Sequence, residues 1–259
     1  METQGIFMSD MSRIRSRYLN LLETALVGTL YGDPGSQPWS SREFHPDKRA
    51  LGRDWPALAQ TMIGSIRMRS LRHMCETVLL DDIPGDFIET GVWRGGASIY
   101  MKGILEAHGD TRRCLFVADS FQGLPPPNAA IYAADAADAG DRHHTFEQLK
   151  VSRKEVENNF KKYGLLDDRV VFLEGWFKDT LPKAPIERLA ILRLDGDMYE
   201  STTQTLDALF HKVSPGGFVI IDDCFLRPCA QAVDDFRLRH NITSPMLPID
   251  GAATWWRVT

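Results

Sequence analysis

The stretch DFIETGVWRGGAS, residues 86–98, changes period within thirteen residues. Five residues of short apolar strand pattern run into a glycine turn, and Gly95 and Gly96 then open a helical segment. A strand, a tight turn and a helix in that order make half of a βαβ unit. The same rhythm recurs downstream, with strand-like runs at 114–118 (CLFVA), 170–174 (VVFLE), 190–194 (AILRL) and 217–222 (GFVIID), each followed by a turn and a helix. Short apolar runs that alternate with helices predict parallel strands with crossover helices, hence a doubly wound α/β sheet. A last pair at 245–249 and 254–258 reads as an antiparallel hairpin on the sheet edge, giving a mostly parallel, seven-stranded, Rossmann-like sheet.

Upstream of this core, residues 1–84 read as a helical appendage. Tyr18, Leu21, Leu22, Ala25, Leu26 and Leu30 recur at helical spacing, so a first amphipathic helix is expected over 15–30. A Pro-, Gly- and Ser-rich connection follows, and Asp54 with Pro56 just beyond it reads as the N-cap of a second helix running to about residue 80. The core is expected over 85–259. Within it, residues 122–145 (QGLPPPNAAIYAADAADAGDRHHT) break the alternation with prolines and small residues and read as a lid over the site.

With 259 residues, 43% of them hydrophobic, the chain is long enough for one large core and short for two. A net charge of −5 argues against an electrostatic grip on nucleic acid or anionic lipid. No apolar run approaches the roughly 20 residues needed to span a bilayer, and METQGIFMSDMSRIRSR lacks the apolar core of a secretory signal, so a cytoplasmic protein is expected. The four cysteines are scattered and carry no zinc spacing.

In open α/β sheets, ligands bind beyond the carboxyl ends of the strands. Gly91 permits a sharp turn there and a close approach to the backbone, but the segment lacks the GxGxxG spacing of a pyrophosphate cradle. Asp119, ending the second strand, is suited to accept the two hydroxyls of a ribose; a turn or helix-capping aspartate is the alternative. Trp176 and Phe177 offer flat surface to an adenine ring, or to the core. The next two strand ends carry Asp195 and Asp197, then Asp222 and Asp223. Four carboxylates on adjacent strand ends would repel unless a cation joined them. Asp195, Asp222 and Asp223 are hard oxygen ligands suited to Mg²⁺, and a hydroxyl on that metal would be acidified. Asp197 is placed to take its proton, or else to cap the helix that starts near residue 199. His143 and His144 in the lid are the second choice of base.

Taken in order, ETGVWRGG, VADSFQGLP, GWFKDTLP, LDGDMYES, SPGGF and IIDD resemble the macrocin-type O-methyltransferases. These act on deoxysugars in antibiotic biosynthesis and include the enzymes of tylosin, mycinamicin and novobiocin pathways. The likeness runs from about Leu19 to the C-terminal TWWRV, and extends distantly to catechol-type O-methyltransferases. It implies S-adenosylmethionine as donor, S-adenosylhomocysteine as product, Mg²⁺ as metal, a sugar-containing small molecule as acceptor, and a homo-oligomer. Carried over by position, Glu89, Gly91 and Ser98 would face the methionine part of the donor, Asp119 and Ser120 its ribose, and Gly175 and Trp176 its adenine. Thr61 and Met62 would reach the donor from the appendage. Asp195, Asp222 and Asp223 fall on the metal positions and Asp197 on the base. The lid and Cys224 depart from the family pattern, which leaves the acceptor open. Alternatives are a catechol or phenol acceptor, an NAD-dependent oxidoreductase, and a nucleoside-binding protein without chemistry.

Overall fold

The computed structural model describes residues 2–37, 40–136 and 143–259. Strands β1 (Asp86–Thr90), β2 (Leu115–Asp119), β3 (Val170–Glu174), β4 (Leu189–Leu194), β5 (Val213–Ile221), β6 (Leu247–Pro248) and β7 (Thr254–Arg257) form one sheet in the order β3-β2-β1-β4-β5-β7-β6. The first five are parallel; β7 runs antiparallel to β5, and β6 antiparallel to β7. The order reverses between β1 and β4, and ligands of such sheets sit in the crevice at that switch point.

Helices are α1 (Glu2–Val27), α2 (Pro46–Ala50), α3 (Gly64–Leu80), α4 (Gly96–Ala107), α5 (Ala133–Ala136), α6 (Arg153–Lys162), α7 (Phe177–Thr180), α8 (Tyr199–Leu209) and α9 (Arg227–Arg239). The period-two alternation of the strands sorts them onto two faces. Phe87, Val117, Phe218 and Ile220 pack with α1, α3, α4 and α6. Ile88, Phe116, Val219 and Ile221 pack with α8 and α9. Parallel strands covered on both faces must be apolar throughout, and β4 is buried at all six positions. Its single polar member is Arg193, 1% exposed.

Two expectations for the appendage need correction. The first helix starts at Glu2 and ends at Val27, and Leu19, Leu22 and Leu26 are its buried stripe, whereas Tyr18, Leu21 and Leu30 are exposed. The second does not start after Asp54. Arg49 is fully buried, and its Nε and Nη2 donate to the Asp54 carboxylate at 2.8 and 2.9 Å and to the Asp33 carbonyl at 2.9 Å. Satisfying a buried guanidinium outweighs capping a helix. Residues 51–63 therefore stay irregular and the helix begins at Gly64. No helix of the described residues is long and apolar enough to cross a membrane. All four cysteines are free.

The expected lid leaves β2 through a turn at 120–123, carries α5 and returns past His143; residues 137–142 of it lie outside the described residues.

Candidate active site

The strand ends at the switch point open into a cavity of about 610 Å³, within the range of ligand pockets. Two glycines shape its floor. Gly91 has φ +86°, and a Cβ there would lie 1.7 Å from the Asp195 carbonyl oxygen, so any side chain would push β1 and β4 apart at their ends. At Gly96 a Cβ would meet the Gln60 backbone at 2.6 Å. Its N–H instead donates to the Gln60 carbonyl at 2.9 Å, which brings Thr61 and Met62 onto the cavity wall.

The half under β1, β2 and β3 is built on backbone contacts. Asp119 accepts from the Val92 N–H at 2.8 Å on one oxygen and from the Phe121 N–H at 2.7 Å on the other, which fixes the plane of its carboxylate while leaving lone pairs toward the cavity. Burial raises its pKa, against the pull of those amides. The Ser120 hydroxyl donates to the Gly123 carbonyl at 2.7 Å and accepts from the Gln122 N–H at 3.0 Å, tying the turn that starts the lid. Gly175 and Trp176 line the wall beyond β3. Glu89 also lines it, buried, with the Ser98 hydroxyl donating to one oxygen and Arg193 Nη1 to the other at 2.6 Å. Burial pushes Glu89 up to about 7, Arg193 drawing it down and the neighbouring Asp195 and Asp222 pushing it up. Ser98 does not line the cavity: it is fully buried and reaches it through Glu89.

The half under β4 and β5 is built on charge. Asp195, Asp197 and Asp223 each bring a carboxylate oxygen to within 4.8 Å of the others. Burial and the adjacent Asp222 raise Asp195 to about 7; burial and the three neighbouring aspartates raise Asp223 well above the usual carboxylate range. Carboxylates so placed hold protons or a cation. Asp222 stands apart from that group. Its two oxygens accept from Arg193 Nη2 and Arg67 Nη1, and Arg67 Nε binds Asp250 at 2.7 Å. Burial disfavours the Arg193 charge, but Asp222, Asp195 and Glu89 more than compensate and raise its pKa. His143 Nδ1 lies 3.5 Å from Asp197, while His144 does not line the cavity.

Sequence reading missed Arg193, Arg67 and Trp93. A lone arginine inside the apolar run AILRL was the signal for the first. Trp93, with φ +47° on the turn after β1, lines the cavity wall, and its indole N–H donates to the Gln148 carbonyl at 2.8 Å. A bulky residue in the left-handed region between glycines marks a functional turn.

The model of the macrocin-O-methyltransferase family matches residues 15–258. The chain belongs to this family. It is 50% identical over 246 residues to 8-demethyl-8-(2,3-dimethoxy-alpha-L-rhamnosyl)-tetracenomycin-C 4'-O-methyltransferase of Streptomyces olivaceus, covering 95% of this chain and 94% of that one. To demethyldecarbamoylnovobiocin O-methyltransferase of Streptomyces niveus it is 48% identical, covering 94% of each. Mycinamicin III 3''-O-methyltransferase of Micromonospora griseorubida is 44% identical, over 93% of this chain and 95% of its own length. The solved structure of the O-methyltransferase NovP superposes with a TM-score of 0.90 at 48% identity, covering 95% of this chain and 99% of NovP. The calicheamicin methyltransferase CalS11, at 20% identity and a TM-score of 0.59 over 74% of this chain and 79% of its own, shares the fold. As a macrocin-O-methyltransferase family member with this fold, the chain is an O-methyltransferase, and the oxidoreductase and non-catalytic readings fall.

Proposed function

We propose that this enzyme moves a methyl group from S-adenosylmethionine to a hydroxyl of a deoxysugar on a natural-product glycoside in antibiotic biosynthesis, with Mg²⁺ at the acceptor. The observation that carries this reading is one cavity that joins a turn-held carboxylate, Asp119, to a group of three converging aspartates. Asp119 offers its free lone pairs to the ribose hydroxyls, Trp176 its ring to the adenine, and Glu89 its carboxylate to the donor's amino group. Thr61, Met62 and Gly91 close around the methionine part, and Ser120 and Gly175 keep the ribose and adenine turns in shape.

Asp195 and Asp223 supply hard oxygen atoms suited to Mg²⁺. Asp222 joins them in the proposed set: each of its oxygens keeps a lone pair after accepting from an arginine, and the two arginines fix its orientation in the way outer partners orient metal ligands. When bound, the metal acidifies the acceptor hydroxyl and orients it. Asp197 takes the hydroxyl proton as the sugar oxygen bonds to the methyl carbon and the carbon–sulfur bond breaks, leaving S-adenosylhomocysteine.

The sugar reading is favoured over a catechol because the tetracenomycin and mycinamicin relatives are named for sugar positions. A finished glycoside is favoured over a nucleotide-linked sugar by the wall around the aspartates. Leu124, Pro125, Pro126, Phe225 and Leu226 make it apolar, and Phe225 is 58% exposed. Among the described residues the lining cations are Arg67, committed to Asp222 and Asp250, and Lys178. Two phosphates would find one uncommitted cation, Lys178, among the described lining residues, whereas an apolar aglycone would bury its surface.

The exposed stripe Met11, Ile14, Tyr18 and Leu21 on α1 supports a homo-oligomer, which light scattering would test. The enzymatic reading is tested by incubating the protein with S-adenosylmethionine and Mg²⁺ against paired glycoside and nucleotide-sugar acceptors, followed by mass spectrometry. One added methyl on the glycoside, lost on chelation, is expected. Transfer to the nucleotide sugar alone, or transfer indifferent to chelation, would contradict it.

A further inference from the structure

Helix α8 follows immediately on Asp195-Gly196-Asp197-Met198, so its first turn and the acceptor site are one piece of chain. The opening N–H groups of a helix have no partner within it. The sequence Asp197-Met198-Tyr199-Glu200 reads as a capping box, in which Asp197 would accept from the amides two and three positions on, those of Tyr199 and Glu200. In the structure the N-cap is Met198, whose N–H donates to the Ser201 hydroxyl at 3.3 Å, so Asp197 stands one residue before the cap and the two amides are satisfied from elsewhere. Tyr199 N–H donates to Asp135 Oδ1 at 2.7 Å and Glu200 N–H to Asp135 Oδ2 at 3.1 Å. Asp135 lies on α5 in the lid, 64 residues before Tyr199, and is 5% exposed. The rings of Tyr132 and Tyr199 meet beside it, their centroids 6.2 Å apart. Asp197, at φ +60°, turns its carboxylate instead to Asp195 and Asp223.

We propose that Asp135 is a positioning residue for Asp197: by capping α8 from the lid, it releases the Asp197 carboxylate for the acceptor hydroxyl. The two aspartates compete for one pair of amides. With the lid seated, Asp135 holds them and Asp197 faces the cavity. Without the Asp135 carboxylate those amides lose their acceptor, and Asp197, in the loop directly before α8, takes the cap at the cost of leaving the site. This inference rests on the reading of Asp197 as the base.

The test joins a thermal-melt cycle on the protein without added ligands to steady-state kinetics. In the wild-type background Asp197 caps nothing, so Asp197→Ala changes Tm only through its φ of +60° and its neighbours in the site. In the Asp135→Ala background Asp197 has become the cap, so the same substitution lowers Tm by about 2–4 °C more than it does in wild type. In kinetics, Asp135→Ala lowers kcat about five- to tenfold with donor affinity unchanged, and Asp135→Asn, whose single amide oxygen accepts from only one of the two N–H groups, restores it in part. The same Tm response to Asp197→Ala in both backgrounds, or full kcat in Asp135→Ala, overturns the proposal. Full kcat in Asp197→Asn overturns the underlying reading of the base, and the positioning role with it; a dead Asp197→Asn beside a normal Asp135→Ala overturns the positioning role alone.

Discussion

The two halves of the cavity are built on different physics. The half under β1, β2 and β3, the proposed donor site, hangs on the backbone: Asp119 is gripped by two amides, and Gly91 and Gly96 let main chains approach closer than any side chain would allow. The half under β4 and β5, the proposed acceptor site, hangs on side chains drawn from distant segments. Arg193 in β4 holds Asp195 and Asp222 and reaches across the seam to Glu89 of the other half, while Arg67 from α3 ties Asp222 to Asp250 before the last strand. A half fixed by local turns tolerates changes in its neighbour, whereas a half fixed by a charge network fails as a unit. Donor binding and acceptor chemistry should therefore separate on mutation.

The largest effect is expected at Asp195. Asp195→Ala should lower kcat by at least about 10³-fold, on the order of 4 kcal/mol, because in the proposed mechanism Asp195 is a metal-binding carboxylate at the acceptor hydroxyl. A loss below tenfold in a quenched methyl-transfer assay would show that the carboxylate group is not where the chemistry occurs.

Next in size is Arg193→Met. It leaves Glu89, Asp195 and Asp222 buried without their shared cation, and breaking a buried pair costs about 3–5 kcal/mol. Denaturant melts should show that loss. Stability equal to wild type would mean that the network is ornamental and the two halves are not so different.

What the sequence disclosed follows the same division. The five parallel strands, the edge hairpin and the turn at Gly91 depend on neighbours within a few residues, and alternation and turn chemistry report such neighbours. Asp54 looked like a helix cap because a cap is a local pattern, but a buried arginine five residues earlier takes its carboxylate. DMYE reads as a capping box for the same reason, and the acceptor of its amides comes from the lid instead. Ser98 sits one turn into α4, where spacing alone cannot show that Glu89 lies between it and the cavity. Four aspartates were visible at two strand ends; which three converge, and which is claimed by arginines, depends on side chains from α3 and β4 that no local window contains.

A smaller effect tests the donor half. Asp119→Ala should weaken S-adenosylmethionine binding by about 10- to 100-fold, the worth of hydrogen bonds to a charged group, without altering metal affinity measured with Mn²⁺. Equal damage to both affinities would join what the structure separates.

The smallest expected effect is a pH dependence at the seam between the halves. Burial raises Glu89 from the ordinary 4.5 to about 7, so between those values the folded protein binds a proton that the unfolded chain has released. Stability from this group is therefore present at low pH and lost as pH rises through about 7. Thermal melts from pH 5.5 to 7.5 should show a falling Tm in wild type and a shallower fall in Glu89→Gln. The opposite slope would mean that Arg193 dominates burial at this carboxylate.

The central claim, that one cavity holds a donor site independent of its acceptor chemistry, is tested most directly by titrating S-adenosylhomocysteine calorimetrically into wild type, Asp195→Ala and Asp119→Ala. Affinity within about twofold of wild type for Asp195→Ala, with a loss of at least tenfold for Asp119→Ala, is the expected result. Binding abolished by Asp195→Ala, or untouched by Asp119→Ala, would contradict it.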